Sequence, residues 1–318
     1  MSQLLCSIVI RAYNEERHIA RLLTGILEQT VKDVQIILVD SGSQDATVAI
    51  ASRFPVEIVH IQPQDFTFGR SLNTGIARAK AGLVVMASAH VYPVYPDWLE
   101  KLLEPFSDPQ IGLVYGKQRG SASSKYSEHR VFRGWYPDQS IPRQNHPFCN
   151  NANAAIRREL WERHPYDELL PGLEDIAWAR WLLDQGLGLA YAAEAEIIHV
   201  HHETWRGIYN RYRRESMAFK QIYPHETFHF TDFIRLWFSN TWSDWGAAAA
   251  EKVWGREWFN ILRFRLMQFW GTYQGYRQSG PLTWKLRQTF YYPAASLETV
   301  ETDNRRDVQP IHYHEGSD

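Results

Sequence analysis

Cysteine is nearly absent: Cys6 and Cys149 are the only two in 318 residues. Two thiols build neither a disulfide framework nor a cysteine-rich zinc cluster, and they fit a reducing compartment. Neither sign of charge dominates, with 34 Lys and Arg against 36 Asp and Glu and a net charge of -2. That excludes the global basic field expected of a nucleic-acid binder. No apolar run approaches the ~18–20 residues of a membrane-spanning helix. The opening MSQLLCSIVIRAYNEE lacks the basic region of a secretory leader, so a cytoplasmic protein is expected. G-x-G-x-x-G and Walker sequences are missing, which removes the fingerprints of dinucleotide and P-loop sites. No internal repeat is visible.

What is present in excess is tryptophan. There are 13, and seven fall at or after Trp237. The length suits one large or two ordinary domains, at roughly 100–200 residues each.

The organising stretch is GLVVMASAHVYPVYPDWL, residues 82–99. A short apolar run at 83–87 stops at Ser88-Ala89-His90, followed by Pro93, Pro96 and a helix start at Asp97-Trp98-Leu99. It reads as a central parallel strand, and in open α/β sheets ligands sit beyond the carboxyl ends of such strands. Upstream, residues 4–10, 34–39 and 56–61 read as strands, separated by helical periodicity at 19–27, 46–54 and 71–79. Strands alternating with helices indicate βαβ units and a mostly parallel sheet with flanking helices. Downstream, the pattern predicts a helix over 98–106, a strand over 111–116 and a polar, aromatic loop over 121–143. A strand at 149–156, a short helix at 157–162, an amphipathic helix at 176–185 and two edge strands at 189–192 and 196–200 complete this part.

After His202 the chain turns helical, aromatic and basic. Between residues 251 and 292 there are seven Lys or Arg against two Glu, net +5. The expected division is a nucleotide-binding catalytic domain over 1–205, a helical region over 206–295 and a polar, disordered tail over 296–318. Interleaved aromatic and basic residues on helices that cannot span suit an anionic membrane surface. Packing on the catalytic domain or on a second subunit, in a homo-oligomer, is the other reading.

Four groups of residues could carry chemistry. Asp40 ends the second strand, and Tyr13-Asn14-Glu15 follow the first; a carboxylate and a ring at adjacent strand ends can grip a ribose and a base. Arg70 with Asn73 opens a helix, where a diphosphate could sit, although a solvated surface arginine is equally consistent. His90, His199, His201 and His202 offer imidazoles for a metal or a phosphate, and His199 and His201 share one face of a strand. Imidazole suits manganese less well than carboxylate does. Glu174-Asp175 open a helix, where acids also serve simply to complement the helix dipole.

Together, SIVIRAYNEE, ILVDSGSQDAT, GRSLNTGIARAKAG and GLED-IAWARWLL resemble the family 2 glycosyltransferases with the GT-A fold, in that family's order and spacing over about residues 5–205. The resemblance implies an inverting glycosyltransferase that moves a sugar from a nucleotide-sugar to a hydroxyl acceptor in bacterial glycan or polysaccharide assembly. The acceptor would be a glycan or a lipid-linked glycan, and the protein would lie on the inner face of the membrane. Tyr13, Asn14, Glu15 and Asp40 would hold the nucleoside. Arg70 and Asn73 would lie near the ribose and diphosphate. Asp175 matches the catalytic base, with Glu174 beside it, and His201 with His199 matches the late histidine of the metal site. The departure is at Ser88-Ala89-His90, where relatives usually carry Asp-x-Asp holding a divalent metal. Either His90 and His201 hold that ion, manganese or magnesium, or positive side chains replace it. The donor sugar would be selected by Asn150, Asn151, Asn153 and the 121–143 segment. Two rival functions are a nucleotidyltransferase, which RAYNEERH disfavours for want of glycine, and a non-catalytic nucleotide- or glycan-binding protein of the same fold.

Overall fold

The computed structural model describes residues 4–201, 203–278 and 308–313. Its centre is a nine-stranded sheet in the order β3-β2-β1-β4-β8-β6-β9-β5, with β7 also on β9. The strands are β1 (Cys6–Ala12), β2 (Val34–Asp40), β3 (Glu57–His60), β4 (Leu83–Ser88), β5 (Val91–Pro93), β6 (Ile111–Gly120), β7 (Ile141–Gln144), β8 (Asn153–Arg157) and β9 (Gly188–His199). β1, β2, β3 and β4 pair in parallel. β8 then runs antiparallel to both β4 and β6, and β9 returns parallel to β6.

The parallel strands read as unbroken apolar runs because both faces are covered. Ile8, Ile10, Leu38, Val85 and Ala87 pack with α1 (Ile19–Leu27), α2 (Thr47–Ala51) and α4 (Trp98–Leu103). The alternate residues Val9, Ile37, Val39, Val84 and Met86 pack with α3 (Phe68–Ile76), α6 (Arg158–Arg163) and α7 (Glu174–Asp184). A one-residue slip in any strand would exchange these two sets. The register therefore aligns Ala12 with Asp40 and Arg11 with Ser88, so three loops leave the same edge of the sheet.

Three expectations require correction. The 121–143 segment contains a helix, α5 (Tyr126–Trp135), and then β7. Its period is disguised because Glu128 and Phe132, one turn apart, are both buried. The two expected edge strands are one twelve-residue strand, β9, with partners on both sides. Its alanine-rich middle has little apolar bulk, yet a register shift against β6 lets pairing continue across it. Part of the tail expected to be disordered is ordered. The Ile311 N–H donates to Val94 O at 3.1 Å, and Tyr313 stands edge-on to Tyr92 and donates to Pro93 O at 2.7 Å.

The chain continues as α8 (Trp205–Ile222), α9 (Phe230–Ala250) and α10 (Trp254–Arg277). α10 lies close against α8 because Gly271 and Gly275 face it; a Cβ on Gly271 would fall 2.5 Å from Tyr209 O. α9 is joined to α5 and α10 by Asp244, buried between Arg130 at 3.2 Å and Arg265 at 2.8 Å. No helix among the described residues is long and apolar enough to cross a membrane. His202, Trp284 and the rest of the expected helical region from residue 279 to 295 lie outside the described residues.

Candidate active site

The edge where β1, β2 and β4 end is built by backbone capping. Asn14 adopts a left-handed conformation (φ 54°), which its short polar side chain tolerates. Its N–H donates to Ser43 Oγ at 2.9 Å, and its Oδ1 accepts from Gln44 N at 2.8 Å. Glu15 N–H donates to Thr47 Oγ1 at 2.6 Å. The loop after β1 is thus sewn to the loop after β2. Asp40 is buried at the start of that second loop, where it accepts from Gly42 N at 3.1 Å and Ser43 N at 3.2 Å and meets His60 Nδ1 at 3.2 Å.

Glu174 and Asp175 open α7 directly after Leu173, whose left-handed backbone (φ 56°) turns the chain into the helix. That conformation is unusual for a branched residue and marks a constrained turn. Both acids are buried, at 5 % and 7 % exposure. Glu174 accepts from Arg11 Nη1 at 3.2 Å. Asp175 accepts from Ile176 N at 2.8 Å and from Asn151 N at 3.1 Å. Burial, followed by the neighbouring Glu174 charge, pushes the Asp175 carboxyl up to about 7, against the pull of those N–H groups and Arg11. A carboxyl placed there can change protonation near neutral pH.

The histidines gather where β4 and β9 end. His90 Nδ1 meets Glu15 Oε1 at 2.6 Å, and its Nε2 lies 3.1 Å from Ser88 Oγ. Its ring stacks on His199 at 5.1 Å. Burial opposes protonation of His90, but the charge and hydrogen bond of Glu15 outweigh it and raise its pKa. His199 is driven well the other way by burial and then by the charges of His201 and His90. His201 Nδ1 meets Glu128 Oε1 at 2.8 Å, and Arg211 Nη2 of α8 reaches the same oxygen at 2.9 Å. Burial disfavours the Glu128 charge, yet His201 and Arg211 hold its carboxyl down at about 2.

The donor set fits a cation. His199 Nδ1 is 2.8 Å from Gln118 Oε1 and His201 Nδ1 is 2.8 Å from Glu128, so these acceptors assign the N–H to Nδ1 in both rings. Both Nε2 lone pairs then face one another at 3.0 Å, an approach that needs a proton or metal ion between them. Anchoring of the distal ring nitrogen is the usual support of a ligating histidine. His90, His199 and His201 offer nitrogens all within 4.8 Å of one another, as do the ligand atoms of Glu128, His201 and Glu203.

Arg70 and Asn73 are engaged elsewhere. Arg70 Nε donates to Glu168 Oε2 at 2.8 Å. The Asn73 amide donates to Tyr166 O at 2.9 Å and Glu168 Oε1 at 3.0 Å, and accepts from Trp161 Nε1 and Tyr166 N. These bonds tie α3 to the 161–168 segment. Asn153 is likewise internal, accepting from Trp98 Nε1 at 2.9 Å and donating to Ala195 O at 2.8 Å. Two groups escaped the reading by pattern. Arg11, a lone cation in an apolar strand, carried a signal that was there to read. Glu128 carried none, because its partner His201 lies 73 positions away.

A mostly parallel sheet with flanking helices, a buried acid pair opening α7 and an imidazole cluster where β4 and β9 end are consistent with a GT-A glycosyltransferase. Residues 7–164 match the family model described as "Glycosyl transferase family 2". The chain belongs to that family. It is 29% identical over 222 residues to the O-antigen chain rhamnosyltransferase RfbN of Salmonella typhimurium, a match covering 65% of this chain and 69% of RfbN. It superposes on the mannosyltransferase PcManGT from Pyrobaculum calidifontis, solved with GDP-Man and Mn2+, with a TM-score of 0.58 at 19% identity, covering 85% of this chain and 87% of PcManGT. S. aureus TarS 1-349 in complex with UDP-GlcNAc gives 0.53 at 14% identity, covering 97% of this chain and 99% of that one. At such identities the two structures establish the fold.

Proposed function

We propose that the protein is an inverting transferase that moves a glycosyl group from a nucleotide-sugar to a hydroxyl of a growing, lipid-linked surface glycan, with Asp175 as the base. The observation carrying this is Asp175 itself: a buried carboxyl, raised to about 7, fixed by two backbone N–H groups beside the strand-end loops. A binding protein has no use for a carboxylate so held.

The acceptor hydroxyl gives its proton to an Asp175 oxygen as its own oxygen bonds to the anomeric carbon. The bond from that carbon to the nucleoside-diphosphate oxygen breaks on the opposite face, and the configuration inverts. Arg11 bonds to Glu174 and holds it in place next to the base. Tyr13 and Asn14 lie at the strand ends suited to the nucleoside, with the buried Asp40 bracing the adjoining loop, and the sewn loops cost little reorganisation on binding. The His199–His201 pair, with His90, would hold a divalent cation, which when bound supplies positive charge against the leaving diphosphate. When no cation is bound, His90 can instead take up a proton beside Glu15 and supply positive charge from the chain itself.

The likeness to an O-antigen chain rhamnosyltransferase makes a rhamnosyl nucleotide the first donor to test. Calorimetric titration with UDP, GDP, CMP and dTDP, with and without manganese, identifies the nucleoside. Transfer to lipid-linked acceptors is then measured for wild type and Asp175→Asn. Binding of one nucleotide with transfer lost in the variant is expected. Nucleotide binding with no turnover on any donor and acceptor pair would favour the non-catalytic alternative.

A further inference from the structure

Helices α9 and α10 bury one face and leave a second one bare. On α9, Trp242 is 76% exposed and Phe238 58%; on α10, Phe259 is 53% exposed, and Trp254 and Trp258 are nearly half exposed. The rings are continuous across the two helices. Trp242 lies 6.2 Å from Trp245, whose Nε1 donates to Trp258 O at 2.9 Å, and Trp258 stands 5.5 Å from Phe259. With each large ring offering ~150–250 Å², the uncovered half of five of them is on the order of 500 Å². A soluble monomer rarely exposes so large an apolar patch without a use for it.

The charge around this patch is one-sided. The acids of the two helices are spent on ion pairs: Asp232 with Arg235, Asp244 with Arg130 and Arg265, Glu251 with Arg133, Glu257 with Arg256. Among the described residues neither Lys252 nor Arg263 has an acid partner; Lys252 stands two positions before Trp254, and the exposed Arg263, four after Phe259, rests its guanidinium over the Trp205 ring at 4.6 Å. A two-fold contact with a second copy would set this basic rim against itself, because an isologous interface pairs a patch with its own image. An anionic lipid surface neutralises it, and tryptophan favours the headgroup level of a bilayer.

We propose that the exposed aromatic face of α9 and α10 is a docking surface for an anionic membrane, the rings entering the interface while Lys252 and Arg263 meet lipid headgroups. The surface is separate from the residues assigned to transfer chemistry, so it stands or falls independently of that chemistry.

The test is flotation of the full chain with vesicles of phosphatidylglycerol and phosphatidylethanolamine, and with phosphatidylcholine alone. Tryptophan emission is read alongside, and nucleotide binding serves as the control for folding. The wild type is expected to float with the anionic vesicles, with blue-shifted emission and weaker binding in high salt. The triple variant Phe238→Ser/Trp242→Ser/Phe259→Ser should bind at least about tenfold more weakly. Lys252→Glu/Arg263→Glu, which leaves every ring in place, should lose the preference for anionic lipid. Absence of flotation by the wild type would overturn the proposal. So would a wild-type dimer in sedimentation that the triple variant alone dissociates, with lipid binding equal in both.

Discussion

Asp175→Asn should abolish transfer, and it should also change stability in a way that depends on pH. An ordinary aspartate titrates at about 3.9. Burial and Glu174 move Asp175 to about 7 in the folded chain. Between those values the native state holds a proton that the unfolded chain has released, so wild-type stability falls as pH rises through that window. About three pKa units correspond to ~4 kcal/mol, nearly all of it present at about pH 8.5 and only ~1–2 kcal/mol at about pH 5. Asparagine removes that cost. It also turns an NH2 group towards one of the two N–H donors, Ile176 N or Asn151 N, for a loss of about 2 kcal/mol. The variant is therefore expected to match or fall slightly below wild type near pH 5 and to exceed it by ~2 kcal/mol near pH 8.5. Urea melts at the two pH values measure this. A stability difference that does not vary with pH would refute the placement of a proton on Asp175. Consistently, wild-type kcat/KM should drop as pH falls below about 7, the side on which the base is protonated.

Arg11→Met leaves Glu174 as a buried charge without its cation; urea melts should show a loss of about 3 kcal/mol. The acid limb of the kcat/KM profile should move to higher pH, because Arg11 holds Asp175 down. An unshifted limb would remove Arg11 from the site. Asn73→Ala breaks four of the bonds that tie α3 to residues 161–168 and should cost ~2–3 kcal/mol while leaving nucleotide Kd unchanged in titration. A weakened Kd at unchanged stability would return Asn73 to the donor site. His199→Ala and His201→Ala should each abolish manganese binding measured by calorimetry, and retained binding in both would locate the ion elsewhere.

Much of the framework was legible in order along the chain. The strands ending at Ala12, Asp40 and Ser88 announce themselves because a parallel strand covered on both faces must be continuously apolar, and their polar loops therefore stand out. Glu174-Asp175 did not stand out locally, since acids opening a helix ordinarily complement its dipole; only the resemblance singled Asp175 out. The resemblance joined these pieces, since each alone has an ordinary structural reading.

Other features depended on contacts that no local pattern encodes. Arg70 and Asn73 look like ligands at a helix start, but the 161–168 segment, about 90 positions on, takes up the Asn73 amide and one N–H of Arg70. Helix α5 hid because it buries Glu128, a charge, towards His201 and Arg211 from two other elements. Local composition thus determines which strands form and where their polar ends fall, since each choice is made against solvent within a few residues. The proton affinity of Asp175, the facing of His199 and His201, and the bare aromatic side of α9 and α10 arise only on assembly. Each of them comes from burial and charge supplied by residues distant in the chain.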